Sequence, residues 1–383
     1  MKLKNLASAK ITGKRVLLRA DLDVPLRNGK VADNTRIKAG LETIRYLLSH
    51  KASQIIIIGH AGRPHGKRIL GLSLRPIAAQ LSTLLKKPVG FLPDCLSKEP
   101  SRERIVVLEN LRFHIEEEKN NPAFAKALAK KADIFVNDAF GDLRGPHASM
   151  VGIPKYLPSY PGFHINYEVS TISKLFARPK RPYLAIIGGG KTDKMPLVKL
   201  LLSKADTVVV GGVLGNILLK AQGKNAGKIN IKSIQKKDFI EARNICKNPK
   251  LVLPCDAICA QESNRPDTIR IVPIEDVPPT HRILDMGPAT LTHIFELISE
   301  SFTILWAGTP GMYEDPHFAT GTNLIAKWMA RSTGVTVTAG GDTGTAVHRL
   351  DLLAKMTHVS TGGGAALALI EGKKLPGLEL LKA

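Results

Sequence analysis

The sequence is poor in aromatic residues, which fill 5% of its 383 positions, so its cores must be built from Val, Ile, Leu and Ala. It has no apolar run close to the roughly 20 residues that span a bilayer. The N-terminal residues lack the apolar stretch of a secretion signal, and we therefore expect a cytoplasmic protein. Its length indicates about two to three domains.

Cysteine is scarce too, with four residues along the chain. Cys255 and Cys259 are separated by three residues, and no second Cys/His pair flanks them. The spacing of Cys95, Cys246 and this pair supports neither a zinc site nor a disulfide framework.

Acidic residues are outnumbered, 33 against 55 lysines and arginines, which leaves a net charge of +22. Such a charge attracts phosphorylated metabolites, nucleotides, nucleic acid and anionic lipid. The basic residues are spread along the chain without a basic tail and with few aromatics among them. We therefore expect a basic globular protein with small anionic ligands rather than a nucleic-acid surface.

Short apolar runs alternate with helical patterns through the whole chain. Continuous apolar runs are typical of parallel strands that are covered on both faces. This pattern predicts an α/β protein with two doubly wound, Rossmann-like parallel sheets. The strand runs are 15–22, 53–60, 104–113, 133–140, 183–189, 206–212, 250–256, 302–308 and 335–342.

The stretch 183–196, YLAIIGGGKTDKMP, reads as a strand, a glycine turn and the start of a helix. Backbone N–H groups at a helix N-terminus bind anions, and Lys191 and Lys194 add positive charge. The alternative is a tight turn with solvated lysines. A P-loop is a further alternative, but its first glycine falls on Ala185 and the turn is too short to wrap a triphosphate.

Polar residues follow the strands of the N-terminal half. In open α/β sheets, ligands bind outside the carboxyl ends of the strands, so these residues are expected to share one crevice. Alternatively, each is a turn or cap residue. The residues are Asp21, Asp23, His60, Arg63, Asn110, Arg112, Asn137 and Asp138.

The C-terminal half is rich in glycine turns, of which AGGDTGT (339–345) follows a predicted strand directly. We expect residues 340–343 to hold nucleotide phosphates and Asp342 to hold Mg²⁺, which commonly uses one carboxylate plus substrate phosphates. Alternatively, Asp342 is only a helix N-cap.

A Pro- and Gly-rich connector, GIPKYLPSYPGF (152–163), and a helix at 166–176 separate the two halves. We expect a substrate-binding domain at 1–165, a linker at 166–181 and a nucleotide-binding domain at 182–366. This two-lobed layout suits a kinase that must exclude water.

Several ordered motifs together resemble the phosphoglycerate kinase family over nearly the whole chain. They are RADLDVPLRNGKVADNTRI (19–37), GHAGRP (59–64), LENLRF (108–113), VNDAFG (136–141), GGGKTDK (188–194), GMYEDPHFATGT (311–322), GGDTGTA (341–347) and HVSTGGGAALALIEGKKLPG (358–377).

The resemblance implies reversible phosphoryl transfer from 1,3-bisphosphoglycerate to MgADP, which gives 3-phosphoglycerate and ATP. It also implies a monomer whose lobes close about a hinge and whose C-terminal segment, 367–383, returns to the N-terminal domain. It assigns catalysis to Arg36, Lys191 and Lys194, with Arg36 facing the transferring phosphoryl group.

The resemblance also assigns two binding sites. The phosphoglycerate site comprises Asp21, Leu22, Asp23, Arg36, His60, Ala61, Gly62, Arg63, Arg112, Arg144 and Gly145. The nucleotide site comprises Gly188, Gly189, Lys191, Lys194, Gly212, Glu314 (towards the ribose), Gly340, Gly341, Asp342 and Thr343.

The chain departs from the family at sensitive positions. Asp23 stands where the family has Asn, and Gly145 stands where a substrate-binding arginine is expected, with Arg144 one position earlier. The 188–194 loop is one residue short, and Ala307 replaces an asparagine. Added negative charge and a missing arginine both weaken anion binding. A non-catalytic protein that binds nucleotides or anions is therefore the alternative function.

Overall fold

The computed structural model describes residues 2–97, 102–190, 194–229 and 236–383. For residues 236 and 237 it describes the backbone alone. The chain forms two compact units. The first comprises Met1–Lys174 together with Gly364–Ala383, and the second comprises Leu175–Gly363.

A six-stranded parallel sheet forms the centre of the first unit. Alternate residues of its strands face two different cores. Val16 and Leu18 belong to one core, while Leu17 and Phe135 belong to the other. Burial on both faces explains why the strands read as unbroken apolar runs. The spatial order is Gly90–Leu92, Ile105–Leu108, Gln54–Ile58, Arg15–Arg19, Ile134–Asn137, Ser159–Pro161.

Helices connect these strands. The α-helices are Thr35–Ala39, Leu41–Ser49, Arg75–Leu85, Ile115–Glu118, Pro122–Ala129, Phe163–Ala177 (across the division between the units), Gly364–Ile370 and Pro376–Glu379. Short 3₁₀ turns lie at Leu6–Ser8, Leu70–Leu72, Leu111–Phe113, Phe140–Asp142 and Ile153–Lys155, a π-helical turn lies at Ala148–Gly152, and Leu26–Arg27 pairs with Lys30–Val31 in a hairpin.

The second unit has a parallel sheet of the same size, with the order Leu251–Val252, Thr207–Val210, Tyr183–Ile187, Thr303–Ala307, Val335–Ala339, His358–Ser360. A separate antiparallel sheet has the order Arg270–Pro273, Asp256–Ala260, Arg282–Met286. The α-helices are Met195–Lys204, Gly212–Ala221, Lys236–Ile245, Pro288–Glu300, Thr320–Met329 and Gly341–Arg349, with 3₁₀ turns at Pro266–Thr268, Ile274–Asp276, Pro316–Phe318 and Leu353–Lys355.

The predicted fold class, α/β with two doubly wound parallel sheets, is confirmed. Three edge strands and the antiparallel sheet were not predicted from the sequence. The edge strands have only three residues each, and Arg270–Pro273 of the antiparallel sheet is mostly exposed. The predicted helix at 166–176 begins earlier, at Phe163, and ends at Ala177.

The C-terminal residues lie against the first residues of the chain. The Lys4 N–H donates to the Leu381 carbonyl at 2.9 Å, and the Ala383 N–H donates to the Lys2 carbonyl at 3.1 Å. The Gly377 N–H donates to the Leu143 carbonyl at 3.1 Å. Across the described ranges, no helix combines the length and the hydropathy that crossing a bilayer requires.

Candidate active site

In the first unit, the loops after three adjacent strands come together at the carboxyl edge of the sheet. His60 Nε2 lies 3.8 Å from Asp23 Oδ2. Gly62, at a φ of 63°, joins two of these loops. Its N–H donates to Asp23 Oδ1 at 2.8 Å, and its carbonyl accepts from Arg112 Nη1 at 2.9 Å. Four predicted site residues therefore form one connected group.

Arg36 is anchored beside this group while its side chain stays 30% exposed. Its Nη1 donates to Asp21 Oδ1 at 3.3 Å and to the Asp23 carbonyl at 3.1 Å. Burial raises the pKa of Asp21, although Arg36 opposes that shift, and Asp21 in turn raises the pKa of Arg36. The second carboxylate oxygen of Asp21 is buried and accepts no hydrogen bond from the part of the chain described. Arg36 is thus a fixed, permanently charged donor.

The sequence analysis missed a buried ion pair behind His60. Arg19 Nη2 lies 2.9 Å from Asp142 Oδ2 and 2.9 Å from His60 Nδ1. Asp142 Oδ2 is 3.3 Å from the same imidazole nitrogen. Burial opposes ionisation of Asp142, but His60 and Arg19 outweigh it and lower the pKa of this carboxyl. An arginine that ends the apolar run VLLR is the one local signal for this cluster.

The missing arginine at position 145 leaves space that another side chain fills. A Cβ on Gly145 would overlap the imidazole of His147. Burial lowers the pKa of His147, so the imidazole is uncharged at neutral pH and does not restore the lost positive charge. Arg144 is exposed, and its guanidinium lies against Gly364.

The remaining predicted residues of this site differ in accessibility. Leu22 and Ala61 are buried, and the Ala61 carbonyl accepts from Asn110 Nδ2 at 2.8 Å. Arg63 is exposed. Burial lowers the pKa of Arg112, although Asp142, Glu118 and Asp23 oppose that shift, and Arg112 Nε lies 3.9 Å from Glu118 Oε1. Asp138 follows its strand but has a structural role, because its Oδ1 accepts from the Ile165 N–H at 3.1 Å.

In the second unit, glycine turns after adjacent strands lie close to one another. Gly189, Gly212 and Gly308 have φ values of 107°, 60° and 97°. A Cβ on Gly212 would lie 2.7 Å from the Gly189 carbonyl oxygen, and the Val213 N–H donates to that oxygen at 3.1 Å. Side chains larger than hydrogen would separate these turns, so the glycines keep the backbone exposed to a ligand.

Lys194 joins two of the turns. Its ammonium donates to the carbonyls of Gly188 and Ala307 at 2.7 and 3.0 Å. The helix that follows begins at Met195. Lys191, the other predicted catalytic lysine, lies outside the described residues together with Thr192 and Asp193.

The helix Gly341–Arg349 begins at the predicted phosphate turn. Its N-cap is Gly340, at a φ of 137°, so the alternative that Asp342 is the N-cap is wrong. The Thr343 hydroxyl accepts from the Gly308 N–H at 2.8 Å and ties this turn to the turn after strand Thr303–Ala307. Asp342 and Glu314 are both exposed.

The donors of this unit fit Mg²⁺ bound together with a nucleotide. Asp342 offers one exposed carboxylate in the first turn of a helix, beside backbone held open by glycines. Magnesium commonly takes one or two carboxylates and completes its shell with phosphate oxygens and water. A single carboxylate at this turn suits that coordination.

Comparison with known proteins identifies relatives along the whole chain. The sequence profile of the family described as phosphoglycerate kinase matches residues 6–373. The phosphoglycerate kinase of Moorella thermoacetica is 42% identical over 98% of each chain, and that of Pelotomaculum thermopropionicum is 40% identical over 100% of this chain and 99% of its own. The solved phosphoglycerate kinase of Coxiella burnetii has a TM-score of 0.81 and 34% identity, over 99% of this chain and 98% of its own.

Proposed function

The chain belongs to the phosphoglycerate kinase family, and on that premise we propose how its own residues carry out the reaction of that family. It is a phosphotransferase of glycolysis with a carboxyl group as acceptor. The acyl phosphate of 1,3-bisphosphoglycerate passes reversibly to ADP and gives 3-phosphoglycerate and ATP. The relatives named above are all kinases, so they do not favour the alternative of binding without turnover.

The first unit binds the phosphoglycerate through its strand-end loops. Arg63, Arg112 and Arg144 supply guanidinium groups, which bind phosphate and carboxylate through paired hydrogen bonds. His60 and Asp21 orient the substrate hydroxyl and carboxyl groups. The observation that carries this assignment is the network in which Gly62 joins Asp23 to Arg112, because it fixes the loop before any ligand arrives.

The second unit binds the nucleotide at its glycine turns. Gly188, Gly189, Gly212, Gly340 and Gly341 present backbone to the phosphates, while Lys191 and Lys194 add positive charge and Glu314 binds the ribose. Asp342 and the nucleotide phosphates hold Mg²⁺, which neutralises charge on the phosphate oxygens when bound. Thr343 keeps the phosphate turn in place through the Gly308 N–H.

Catalysis consists of positioning and charge neutralisation, since phosphoryl transfer needs little covalent help from the protein. Arg36 stabilises the negative charge that spreads over the equatorial oxygens of the transferring group. Its bonds to Asp21 Oδ1 and to the Asp23 carbonyl hold the guanidinium in one orientation, so little reorganisation is needed during transfer. We expect a monomeric protein that acts in the cytoplasm.

A coupled assay with 3-phosphoglycerate, ATP and Mg²⁺ tests the role of Arg36. Arg36→Ala removes a charged donor and should lower kcat by about 10²–10³, which corresponds to about 3–4 kcal/mol of transition-state stabilisation. Arg45→Ala, on the exposed side of helix Leu41–Ser49, is the matched control and should keep the wild-type rate. Equal rates for the two variants would contradict the assignment.

A further inference from the structure

Three side chains with different donor atoms meet beside strand Ile105–Leu108, in the first unit. The Asp94 carboxylate, the Cys95 thiol and the His114 imidazole each place a donor atom within 4.8 Å of the other two. His114 Nε2 lies 3.2 Å from Asp94 Oδ1. The three residues come from two separate segments, which explains why the spacing of the cysteines alone gave no sign of the cluster.

From this geometry we infer that Asp94, Cys95 and His114 form a binding site for a thiophilic divalent cation of the zinc class. Zinc accepts sulfur, nitrogen and oxygen ligands at about 2.0–2.3 Å in tetrahedral geometry, which places neighbouring ligand atoms about 3.3–3.6 Å apart. The Asp94 and His114 donors already have nearly this separation. The Cys95 sulfur completes the set with a movement of about 1.5 Å or less, within the reach of a side-chain rotation.

The burial of the three ligands differs in a way that suits an open site. Cys95 is buried, whereas the side chains of Asp94 and His114 are 48% and 30% exposed. Three protein ligands with one side open to solvent leave the fourth position to water, as in zinc sites that exchange ligands. The imidazole is also held by a ring contact with Phe124.

Binding requires the Cys95 thiol to lose its proton to solvent as the sulfur–metal bond forms. Burial raises the pKa of this thiol, so proton release opposes binding in acid and the apparent affinity rises with pH. The Lys131 ammonium favours the thiolate, and it donates to the Ser97 carbonyl at 2.5 Å. Asp94 and Glu117, the other charges near Cys95, also raise its pKa.

The site is coupled to the substrate loop by its position in the chain. His114 is the C-cap of the 3₁₀ turn Leu111–Phe113, which also carries Arg112. A cation that fixes the His114 imidazole therefore restrains the turn on which Arg112 stands. This coupling rests on the proposed role of Arg112, whereas binding itself does not.

Titration of the whole protein with Co²⁺ and Zn²⁺ tests the inference. The expected result is one equivalent of Co²⁺ bound, with a sulfur-to-cobalt charge-transfer band that one equivalent of Zn²⁺ abolishes. The apparent affinity should rise with pH by up to tenfold per unit, since one proton is released for each cation bound. Protection of Cys95 from a thiol-specific reagent by Zn²⁺ gives a readout that is independent of activity.

Variants decide whether the named residues are the ligands. Cys95→Ser should abolish the charge-transfer band, and His114→Gln should weaken Co²⁺ binding by tenfold or more. Cys255→Ser is the control, because Cys255 is exposed and lies beside Asp256 without belonging to the cluster. A band unchanged in both Cys95→Ser and His114→Gln, or lost in Cys255→Ser, would overturn the site.

Discussion

The buried carboxyl of Asp285 makes the stability of the second unit depend on pH. Asp285 is 1% exposed, and among the residues that the structure describes its carboxyl group has two hydrogen-bond donors, the N–H groups of Met286 and Gly321, at 2.9 and 2.8 Å. Burial raises the pKa of Asp285 to about 7, although these two hydrogen bonds oppose the shift. The ordinary value of 3.8 applies in the unfolded chain. The folded unit therefore binds a proton between about pH 4 and pH 7 that the unfolded chain releases.

The sign and the size of the effect follow from these two values. Because the native state binds more protons, the free energy of unfolding falls as pH rises through this window. A difference of about three pKa units corresponds to about 4 kcal/mol of unfolding free energy. This contribution to stability is lost above about pH 7. The side chain in Asp285→Asn cannot ionise, so the substitution removes this dependence of stability on pH. It also lowers the free energy of unfolding by the same amount at every pH, because the amide cannot accept both N–H bonds.

Urea unfolding followed by tryptophan fluorescence measures this difference in the right unit, since Trp306 and Trp328 both lie in the second unit. At pH 4.5 the Asp285→Asn variant should be less stable than the wild type. The wild type then loses stability with rising pH, so the difference in unfolding free energy between wild type and variant should narrow by about 3 kcal/mol by pH 8. A gap that stays constant within about 1 kcal/mol from pH 4.5 to 8 would refute the reasoning.

Three further substitutions test the carboxylates of the first unit. Asp142→Asn leaves the Arg19 guanidinium buried without its ion-pair partner and should cost about 3–5 kcal/mol of stability in thermal unfolding followed by circular dichroism. Asp133→Asn breaks the exposed pair with Arg15 and should cost no more than about 1 kcal/mol, so similar losses would contradict the role given to burial. Asp23→Asn should lower the KM for 3-phosphoglycerate by roughly fivefold, since removing a negative charge near the anion strengthens binding by on the order of 1 kcal/mol. A higher KM in the variant would contradict this expectation.

The parts of the fold that were predictable share one property, which is burial on both faces. Strands such as Gln54–Ile58 and Tyr183–Ile187 read as continuous apolar runs because helices cover both sides of their sheets. The edge strand His358–Ser360 and the exposed strand Arg270–Pro273 lack that signature. Their residues pair through the backbone, and backbone pairing leaves no pattern in the side chains.

For the candidate site, what could be predicted depends on whether the local backbone restricts the residue type. Glycine turns such as Gly340 could be predicted because backbone geometry restricts the residue type. The link between Arg19 and Asp142 could not, because 123 positions separate the two residues and neither position requires a charged side chain locally. Likewise, the spacing of the cysteines could not show that Asp94 and Cys95 meet His114.

The structure also changes what the added acidic residues imply for activity. From the sequence, an additional carboxylate beside an anionic substrate should weaken binding unless it is paired. Asp23 accepts the Gly62 N–H at 2.8 Å and lies 3.8 Å from His60. Asp142 contacts both Arg19 and His60. Each carboxylate therefore has a hydrogen-bond or ion-pair partner within the loops, and that partner offsets part of its negative charge. The two carboxylates weaken substrate binding less than their formal charge implies.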